Sequence, residues 1–366
     1  MRKYLFLTPF IAAMIIFSGI SCKTAPKPAE EPASPAQTVQ KTEPSSGPDQ
    51  ALLNELSAAA ARADEARKKA GDFEANTYFP GEWDTAEKSY SEAGSYSKAT
   101  EADIRKAIAA YGAAADSYDS VFELAIPLYA QAREDEIMEL RNILIFEGAK
   151  DSFPEYFVPA DETALLALSQ YENRDYYAAR DTAAKTLSMY QILDTAWHAW
   201  NYRWEIRERD FILHDPDNYE RAGEILSDAI DAYRADNLPL AMENAEESMM
   251  RYNLVLSTGW IAYAEERSLL AGNERLSALE TKSNIAVKDY FTEADSMYVT
   301  ALKLQKAENH AEAAKQFVSA EAMFVITSMT AIEKRKQAAA EIREANERIE
   351  ASDTTARRAE RIITGE

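Results

Sequence analysis

Residues 107–118 read AIAAYGAAADSY, a stretch in which small and aromatic residues recur at helical intervals. Ala107, Tyr111, Ala114 and Tyr118 stand at i, i+4, i+7 and i+11, positions that share one face of an α-helix. The same spacing returns at Ala179, Ala183, Thr186 and Tyr190, at Ala241, Ala245, Ser248 and Tyr252, and at Ala313, Phe317, Ala320 and Phe324. The sequence therefore predicts four copies of one helical unit, in which small residues let a neighbouring helix approach closely.

A shorter helix is expected before each of these four faces, because a pair of small or aromatic residues seven apart precedes each one. The pairs are Ala86 and Ala93, Ala164 and Tyr171, Ala222 and Ala229, and Ala294 and Ala301. Pro80, Pro159 and Pro216 mark the starts of the first three short helices. At the fourth, Thr292 and Asp295 form a capping-box pattern. Each unit is thus expected to be a short helix, a turn and a long helix.

The predicted fold is all-α, an elongated array of four helical hairpin units arranged like a solenoid or a bundle. No stretch alternates apolar and polar residues with a period of two, so no strand is predicted. Pro127 falls inside the first long helix and is expected to kink it. The helical repeat domain covers residues 50–366, with units at about 78–145, 156–210, 216–285 and 290–360 and long helices at roughly 103–145, 176–210, 238–285 and 310–360.

The repeat resembles two known helical families. Residues 107–114 and 313–320 follow the pattern Ala-x3-aromatic-x2-Ala and so resemble the second helix of tetratricopeptide repeats. The period here is about twice that family's length, and the Trp and Gly of its first helix are missing. Residues 58–118, where an Ala/Arg-rich helix ends at Tyr-Phe-Pro, resemble more closely an uncharacterised Ala-rich helical domain of Gram-negative envelope lipoproteins. That resemblance implies an envelope location and brings no assigned activity.

The N-terminus has the composition of an export signal. Arg2 and Lys3 precede an almost unbroken apolar run from Tyr4 to Ile20, and the chain's single cysteine, Cys22, follows it. A run of this length is at the low edge of what spans a bilayer, which favours a signal peptide over a permanent transmembrane helix.

Residues 19–22, Gly-Ile-Ser-Cys, resemble the lipid-attachment box of bacterial lipoproteins in the looser form known from spirochaetes. The resemblance implies that residues 1–21 are a lipoprotein signal peptide and that Cys22 carries the lipid. Lys23, rather than Asp, follows the cysteine. By resemblance to enterobacterial lipoprotein sorting, this residue favours the outer membrane over retention at the inner membrane. We therefore expect a lipid-anchored protein of the bacterial outer membrane that faces the periplasm, with surface exposure as the alternative. An ordinary secretory signal would instead leave Cys22 as a free thiol.

The segment behind the cysteine is expected to be a spacer. Residues 22–49 contain six prolines among small and polar residues, with one large aliphatic side chain. Such a segment cannot bury enough apolar surface to offset its ordering entropy, so we expect a disordered tether that holds the helical domain away from the lipid surface.

Composition and motifs argue against several classes of function. The formal net charge of −22 has the wrong sign for phosphate binding, so no nucleic-acid partner is expected. The sequence has no P-loop, no GxGxxG and no Gly-x-Ser-x-Gly. Its three histidines, His198, His214 and His310, stand at no metal-ligand spacing. We therefore expect neither an enzyme nor a cofactor or metal site.

An aromatic stripe is the sharpest local feature. Trp197, Trp200 and Trp204 lie along one face of the second long helix, and Arg203 and Arg207 flank them. One interpretation is a core stripe that packs against the first and third units. The other is the aromatic wall of a pocket or groove for a peptide, a sugar or a lipid tail. The burial of the three indole rings distinguishes the two.

The last helix carries a second stripe. Ile342, Ile349 and Ile363 are spaced by multiples of seven, as in a coiled-coil seam that binds a partner helix. A tail of this kind can instead pack on a neighbouring helix or fray.

Taken together, these features predict a non-enzymatic, lipid-anchored helical-repeat scaffold or protein-binding module of the bacterial envelope, with a protein partner there. The alternative is a solute- or lipid-binding accessory lipoprotein of a transporter, with an aromatic pocket near Trp197, Trp200 and Trp204. The oligomeric state is left open.

Overall fold

The computed structural model describes residues 48–365. Within that range the chain forms twelve α-helices and one 3-10 helix, with no strand. Four short helices are α3 (Pro80–Ser95), α6 (Pro154–Glu172), α8 (Pro216–Arg234) and α11 (Lys288–Lys306). Four long helices are α4 (Glu101–Phe146), α7 (Tyr176–Glu208), α9 (Leu238–Glu280) and α12 (His310–Thr364). The prediction of an all-α fold built from helical hairpins is confirmed.

The remaining helices lie before and between these hairpins. Helix α1 (Gln50–Asp72) precedes the first hairpin, and three single-turn helices each lead into a short helix: α2 (Ala75–Tyr78), α5 (Ala149–Ser152) and α10 (Ser283–Ala286). The 3-10 helix (Phe211–His214) occupies the equivalent connection between α7 and α8. Within residues 48–365, no helix combines the length and the apolar composition needed to cross a membrane.

Each hairpin is completed by a third helix. The short helix packs on the N-terminal half of the long helix that follows it, and the C-terminal half of the preceding long helix packs against both. In the first unit α1 takes this third position. The third helices present buried apolar residues mostly at seven-residue steps: Leu56, Ala63 and Ala70 in α1; Ile137 and Leu144 in α4; Ile192, Ala199 and Ile206 in α7; Ala264, Ala271 and Ala278 in α9.

The turn inside three of the hairpins has one conformation. Arg174, Asp236 and Glu308 each adopt a left-handed backbone, with φ of 63°, 60° and 60°. In each turn the next N–H donates to a carbonyl five residues earlier, as in a Schellman motif. Glycine is the residue that usually takes this conformation. Because none of these three positions is a glycine, the sequence gives no signal for the turns.

Two predicted helix starts and one predicted buried pair are wrong. The capping box at Thr292 is not formed, because α11 begins at Lys288 and the Thr292 hydroxyl donates to the Lys288 carbonyl inside the helix. Pro159 does not start α6, which begins five residues earlier at Pro154. This shift changes the buried face of α6, where Ala160 and Ala167 are buried and the predicted pair, Ala164 and Tyr171, is half-buried. Pro127 lies inside α4, which continues on both sides of it, and the kink expected there stays a prediction.

Candidate functional sites

The tryptophan stripe divides between core and surface. Trp197 is 7% exposed, and its ring stacks on Trp200 at a centroid distance of 5.1 Å. Phe153 packs edge-on against both rings. Trp204 lies one further step along α7 and is 55% exposed. Two of the three indoles therefore contribute to the packing between α5, α6 and α7, and the third faces solvent.

The two arginines that flank the stripe differ in the same way. Arg207 is exposed, and Arg203 is half-buried. The Nε of Arg203 is buried without a hydrogen-bond partner among residues 48–365. The Tyr219 hydroxyl, and after it the Tyr252 hydroxyl, raise the pKa of Arg203. Arg203 is thus the member of the predicted surface that has unused hydrogen-bonding capacity.

A charged site recurs where the three helices of a unit meet. In the second unit Arg141 from α4 donates to both carboxylate oxygens of Asp161 from α6, at 2.7 and 3.1 Å. The Tyr190 hydroxyl from α7 donates to the same carboxylate, and Lys150 Nζ lies 3.1 Å from it. The three helices of the unit are therefore joined through one carboxylate.

The first unit has the same arrangement. Arg67 Nε lies 2.6 Å from Glu87 Oε1, and the Tyr118 hydroxyl donates to Glu87 at 2.8 Å. In the fourth unit Arg275 Nε lies 2.5 Å from Asp295. In all three units the carboxylate follows the arginine by twenty residues in sequence. The third unit differs, because Gly223 stands twenty residues after Arg203.

The pKa shifts at this site follow from its contacts. Burial alone would raise the pKa of Asp161, but hydrogen bonds from Arg141, Tyr190 and Lys150 outweigh it and hold that pKa well below its usual range. Burial, and then the hydrogen bond to Asp161, raise the pKa of Tyr190. At neutral pH the site therefore holds an ionised carboxylate and a neutral phenol. These groups join the three helices of the unit.

A cleft of about 800 Å³ lies between α4, α6 and α7. Its wall includes Ile126, Ile137, Leu165 and Leu168, and three arginines also line it: Arg133, Arg141 and Arg180. Arg141 is paired with Asp161, and Arg133 is paired with Glu136 through Nη1, while the Nε of Arg133 is buried without a hydrogen-bond partner among the described residues. The cleft lies at the junction of the first and second units, and the predicted tryptophans do not line it. Nothing in the sequence marked it, because its wall comes from three helices far apart in the chain.

One cluster offers groups that metals bind. Glu147, Asp194 and His198 bring one ligand atom each within 4.8 Å of one another. Spacing alone could not reveal this cluster, since Glu147 comes from the end of α4 and the other two come from α7. Glu147 also accepts a hydrogen bond from Trp197 Nε1 at 3.0 Å, and burial raises the pKa of Asp194. Three groups, two of them exposed, do not by themselves define a metal site.

The C-terminal part of α12 lies apart from the packed helices. Every residue in 332–364, which we call the α12 tail, is exposed. Ile342, Ile349 and Ile363 are 62%, 59% and 84% exposed, so their side chains have little cover from the other described residues. At the base of the tail, Lys334 donates to the carbonyl of Ala286, the last residue of α10. Arg335 donates to the carbonyl of Thr281, between α9 and α10. The predicted signal peptide, Cys22 and all but the last two residues of the tether fall outside the described residues.

The fold and these sites define an all-α protein made of packed helical hairpins with an exposed helical tail. No protein-family model and no solved structure matches the chain. One similar protein is Treponemal membrane protein A of Treponema phagedenis, which is 24% identical over 180 residues. The match covers 49% of this chain and 51% of that protein, so the chain spans about half the length of the curated relative it matches. This similarity fits a spirochaete-like envelope protein.

Proposed function

We propose that this protein is a non-enzymatic, lipid-anchored scaffold of the bacterial envelope, and that it associates with a second copy of itself through the α12 tail. The observation that carries the proposal is the apolar seam of that tail, which is exposed among the described residues. The similarity to a treponemal membrane protein supports an envelope location. The sequence at Cys22 supports a lipid anchor, and Lys23 after it supports the outer membrane with the helical domain in the periplasm.

The seam of the tail continues the face of α12 that packs against α9 and α11. In the packed part of α12, Phe317, Phe324 and Ala331 are fully buried against α9, α10 and α11 at seven-residue steps. The same steps continue into the tail at Ala338, Ala345, Ser352 and Ala359. As the third helix of the fourth unit, α9 buries such a series of small residues: Ala264, Ala271 and Ala278. The tail thus has the pattern of a packed helix, which supports a helical partner for it.

The charge of the tail supports a second copy as that partner. The α12 tail holds eight basic and seven acidic residues, whereas the chain as a whole carries −22. Two acidic helical domains repel each other, but two tails do not. Pairing through the tails therefore meets less charge repulsion than pairing through the acidic body of the domain.

The sequence of the tail supports a parallel pair in register. Such a pair places Ile342, Ile349 and Ile363 of one copy against the same residues of the other, and β-branched side chains at these positions favour two-stranded coiled coils. Arg348 of one copy then lies beside Asp353 of the other, a favourable interchain pairing. The alanines and Ser352 at the intervening positions let the two helices approach closely.

Sedimentation equilibrium tests this proposal on the chain from residue 22 onward with Cys22→Ala. We expect a monomer–dimer equilibrium at micromolar concentration. The double variant Ile342→Glu/Ile349→Glu should be monomeric, because it places charge in the seam. The matched control, Ala340→Glu/Thr354→Glu, adds the same charge on the opposite face and should still dimerise. A monomeric parent chain, or a control that dissociates as fully as the seam variant, would overturn the proposal.

Cysteine cross-linking tests the register in the same background. Ile349→Cys should form an interchain disulfide under mild oxidation, because this position faces itself in a parallel pair. Thr354→Cys points away from the seam and should cross-link much more slowly. Equal cross-linking at both positions would contradict a specific seam.

The cleft between α4, α6 and α7 supports a second candidate function, binding of a lipid or another apolar solute with an anionic group. Its walls are largely apolar, and Arg133 contributes an unpartnered buried nitrogen. Binding of a fluorescent fatty acid tests it. Ala130→Trp, a half-buried position in the cleft, should abolish binding, and Ala109→Trp, an exposed position on the same helix, should not. No saturable binding to the parent chain would rule out this function.

A further inference from the structure

The third unit lacks one member of the repeated charged site. Arg203, Gly223 and Tyr252 stand twenty and then twenty-nine residues apart, the spacing of Arg141, Asp161 and Tyr190 in the second unit. Both sets occupy the same three helices of their units: the third helix, the short helix and the long helix. The third unit therefore has the arginine and the tyrosine. Where the second unit has Asp161, the third has Gly223, whose side chain is a hydrogen atom.

The guanidinium of Arg203 interacts with the Tyr219 hydroxyl, but one atom of each retained side chain has no hydrogen-bond partner. The Nε of Arg203 and the hydroxyl of Tyr252 are both buried, and neither has a hydrogen-bond partner among the described residues. In the three units that have the carboxylate, the arginine Nε lies within hydrogen-bond distance of it. In the first two, the tyrosine hydroxyl donates to the same carboxylate. The two unpartnered atoms of the third unit are thus the two donors that would share the missing carboxylate.

The geometry around Gly223 agrees with this assignment. A Cβ placed on Gly223 would lie 3.3 Å from the Tyr252 hydroxyl, so a side chain at this position points toward that group. Gly223 and Arg203 are both half-buried, whereas Tyr252 is fully buried. The ring of Tyr219 packs edge-on against Tyr252 at 5.6 Å and closes another side.

The chemistry of the site selects an anion. The guanidinium of Arg203 is permanently charged, and burial raises the pKa of Tyr252 to about 12, so its phenol remains a neutral donor at physiological pH. A buried arginine nitrogen without an acceptor is costly, and an acceptor that carries negative charge relieves that cost best. Acetate has the atoms of an aspartate side chain without the backbone, so its size matches the group that Gly223 lacks.

We propose that the third unit contains a binding site for a small carboxylate, whose oxygens accept hydrogen bonds from Arg203 Nε and the Tyr252 hydroxyl in the place of the side chain missing at Gly223. The ligand class is a short monocarboxylate of about the size of acetate. Such a ligand completes, from solution, the charged site that the other units build from their own sequence. This site is separate from the α12 tail and from the cleft, and it does not depend on the scaffold function.

Acetate is the probe for the test, with the full mature chain as the protein. We expect sodium acetate to raise the thermal unfolding midpoint saturably, and to do so more than sodium chloride at equal ionic strength or the neutral analogue acetamide. Line broadening of ¹³C-labelled acetate in NMR measures binding directly. A response to acetate that equals the chloride and acetamide controls would show that the site takes water only and would overturn the proposal.

Three variants locate the binding. Arg203→Gln should weaken acetate binding by about tenfold or more, because it removes a charge-assisted hydrogen bond. Tyr252→Phe should weaken it less, and this variant should fold because Phe324 stands at the same position of the fourth unit. Gly223→Asp should abolish binding and raise the unfolding midpoint of the free protein, since it supplies the carboxylate covalently.

A matched control comes from the second unit. Tyr190→Phe alters a site that already holds Asp161, so acetate binding should be unchanged in that variant. The outcome that contradicts the assignment is acetate binding that survives Arg203→Gln. If Gly223→Asp fails to fold, the NMR titration of Arg203→Gln against Tyr190→Phe still decides the question.

Discussion

Arg141 and Asp161 form a two-point ion pair between α4 and α6, with Nε 2.7 Å from Oδ1 and Nη2 3.1 Å from Oδ2. This geometry matches the planar fork of the guanidinium to the two carboxylate oxygens. The pair lies in the middle of its unit, where the Tyr190 hydroxyl also donates to the carboxylate. It therefore fixes the relative position of three helices that small residues alone would hold less specifically.

Asp161→Asn should destabilise the protein by roughly 2 kcal/mol at pH 7, because it removes charge from hydrogen bonds that Arg141, Lys150 and Tyr190 make. The folded-state pKa of Asp161 lies below its unfolded value of 3.8, so the stabilisation is present above that value and is lost as the pH falls toward the folded-state pKa. Urea unfolding of both chains should therefore show a difference that shrinks below about pH 4. Asp151→Asn, at an exposed position in α5, is the control and should change stability by less than about 0.5 kcal/mol. A difference that persists undiminished at pH 2 would contradict the role of the charge.

Helical periodicity in the sequence carried enough information to predict the helical hairpins. The predicted faces of the long helices, such as Ala241, Ala245, Ser248 and Tyr252, are buried because a period of 3.6 residues places them on one side. The turns were not evident from the sequence, since Arg174, Asp236 and Glu308 adopt a conformation that usually belongs to glycine. Ion pairs between helices depend on which helices become neighbours, and single-sequence periodicity does not contain that information.

The tryptophan stripe illustrates a second limit of periodicity. Trp197 and Trp204 lie on the same helical face, and their spacing predicts one shared environment. Their burial differs because Phe153 in the α5–α6 connection covers only the first part of the stripe. Which part of a helical face is covered depends on where another segment of the same chain packs against it, and this is a property of tertiary structure.

Gly259→Ala should destabilise the protein by about 1–3 kcal/mol, the usual cost of overpacking a core. A Cβ on Gly259 would overlap the ring of Phe211, which the 3-10 helix holds against α9. Gly112→Ala is the matched control, because Gly112 also lies inside a long helix but has open space around it. That control should stabilise by roughly 0.5–1 kcal/mol through helix propensity. Denaturant unfolding measures both, and equal effects of the two substitutions would refute the close approach of Phe211.

Trp197→Phe should destabilise the protein by about 1–3 kcal/mol, because it removes packing against Phe153 and Trp200 and the hydrogen bond to Glu147. Trp204→Phe should change stability by less than about 0.5 kcal/mol, since this indole is largely exposed. Thermal unfolding compares the two variants. Acrylamide quenching should fall more on loss of Trp204 than on loss of Trp197, and the reverse order would contradict the division of the stripe.

Cys22→Ala tests the anchor separately from the fold. If Cys22 carries the lipid, the variant should move from the membrane fraction to the soluble periplasmic fraction when cells are fractionated, because cleavage after Ser21 as in an ordinary secretory signal removes the apolar run and the substitution removes the lipid. The substitution lies outside residues 48–365, and the far-ultraviolet circular dichroism of the released protein should remain strongly helical. Metabolic labelling with a fatty acid should mark the parent chain and not the variant. A variant that stays in the membrane fraction, or a parent chain that incorporates no fatty acid, would show that residues 1–22 act as something other than a lipoprotein signal.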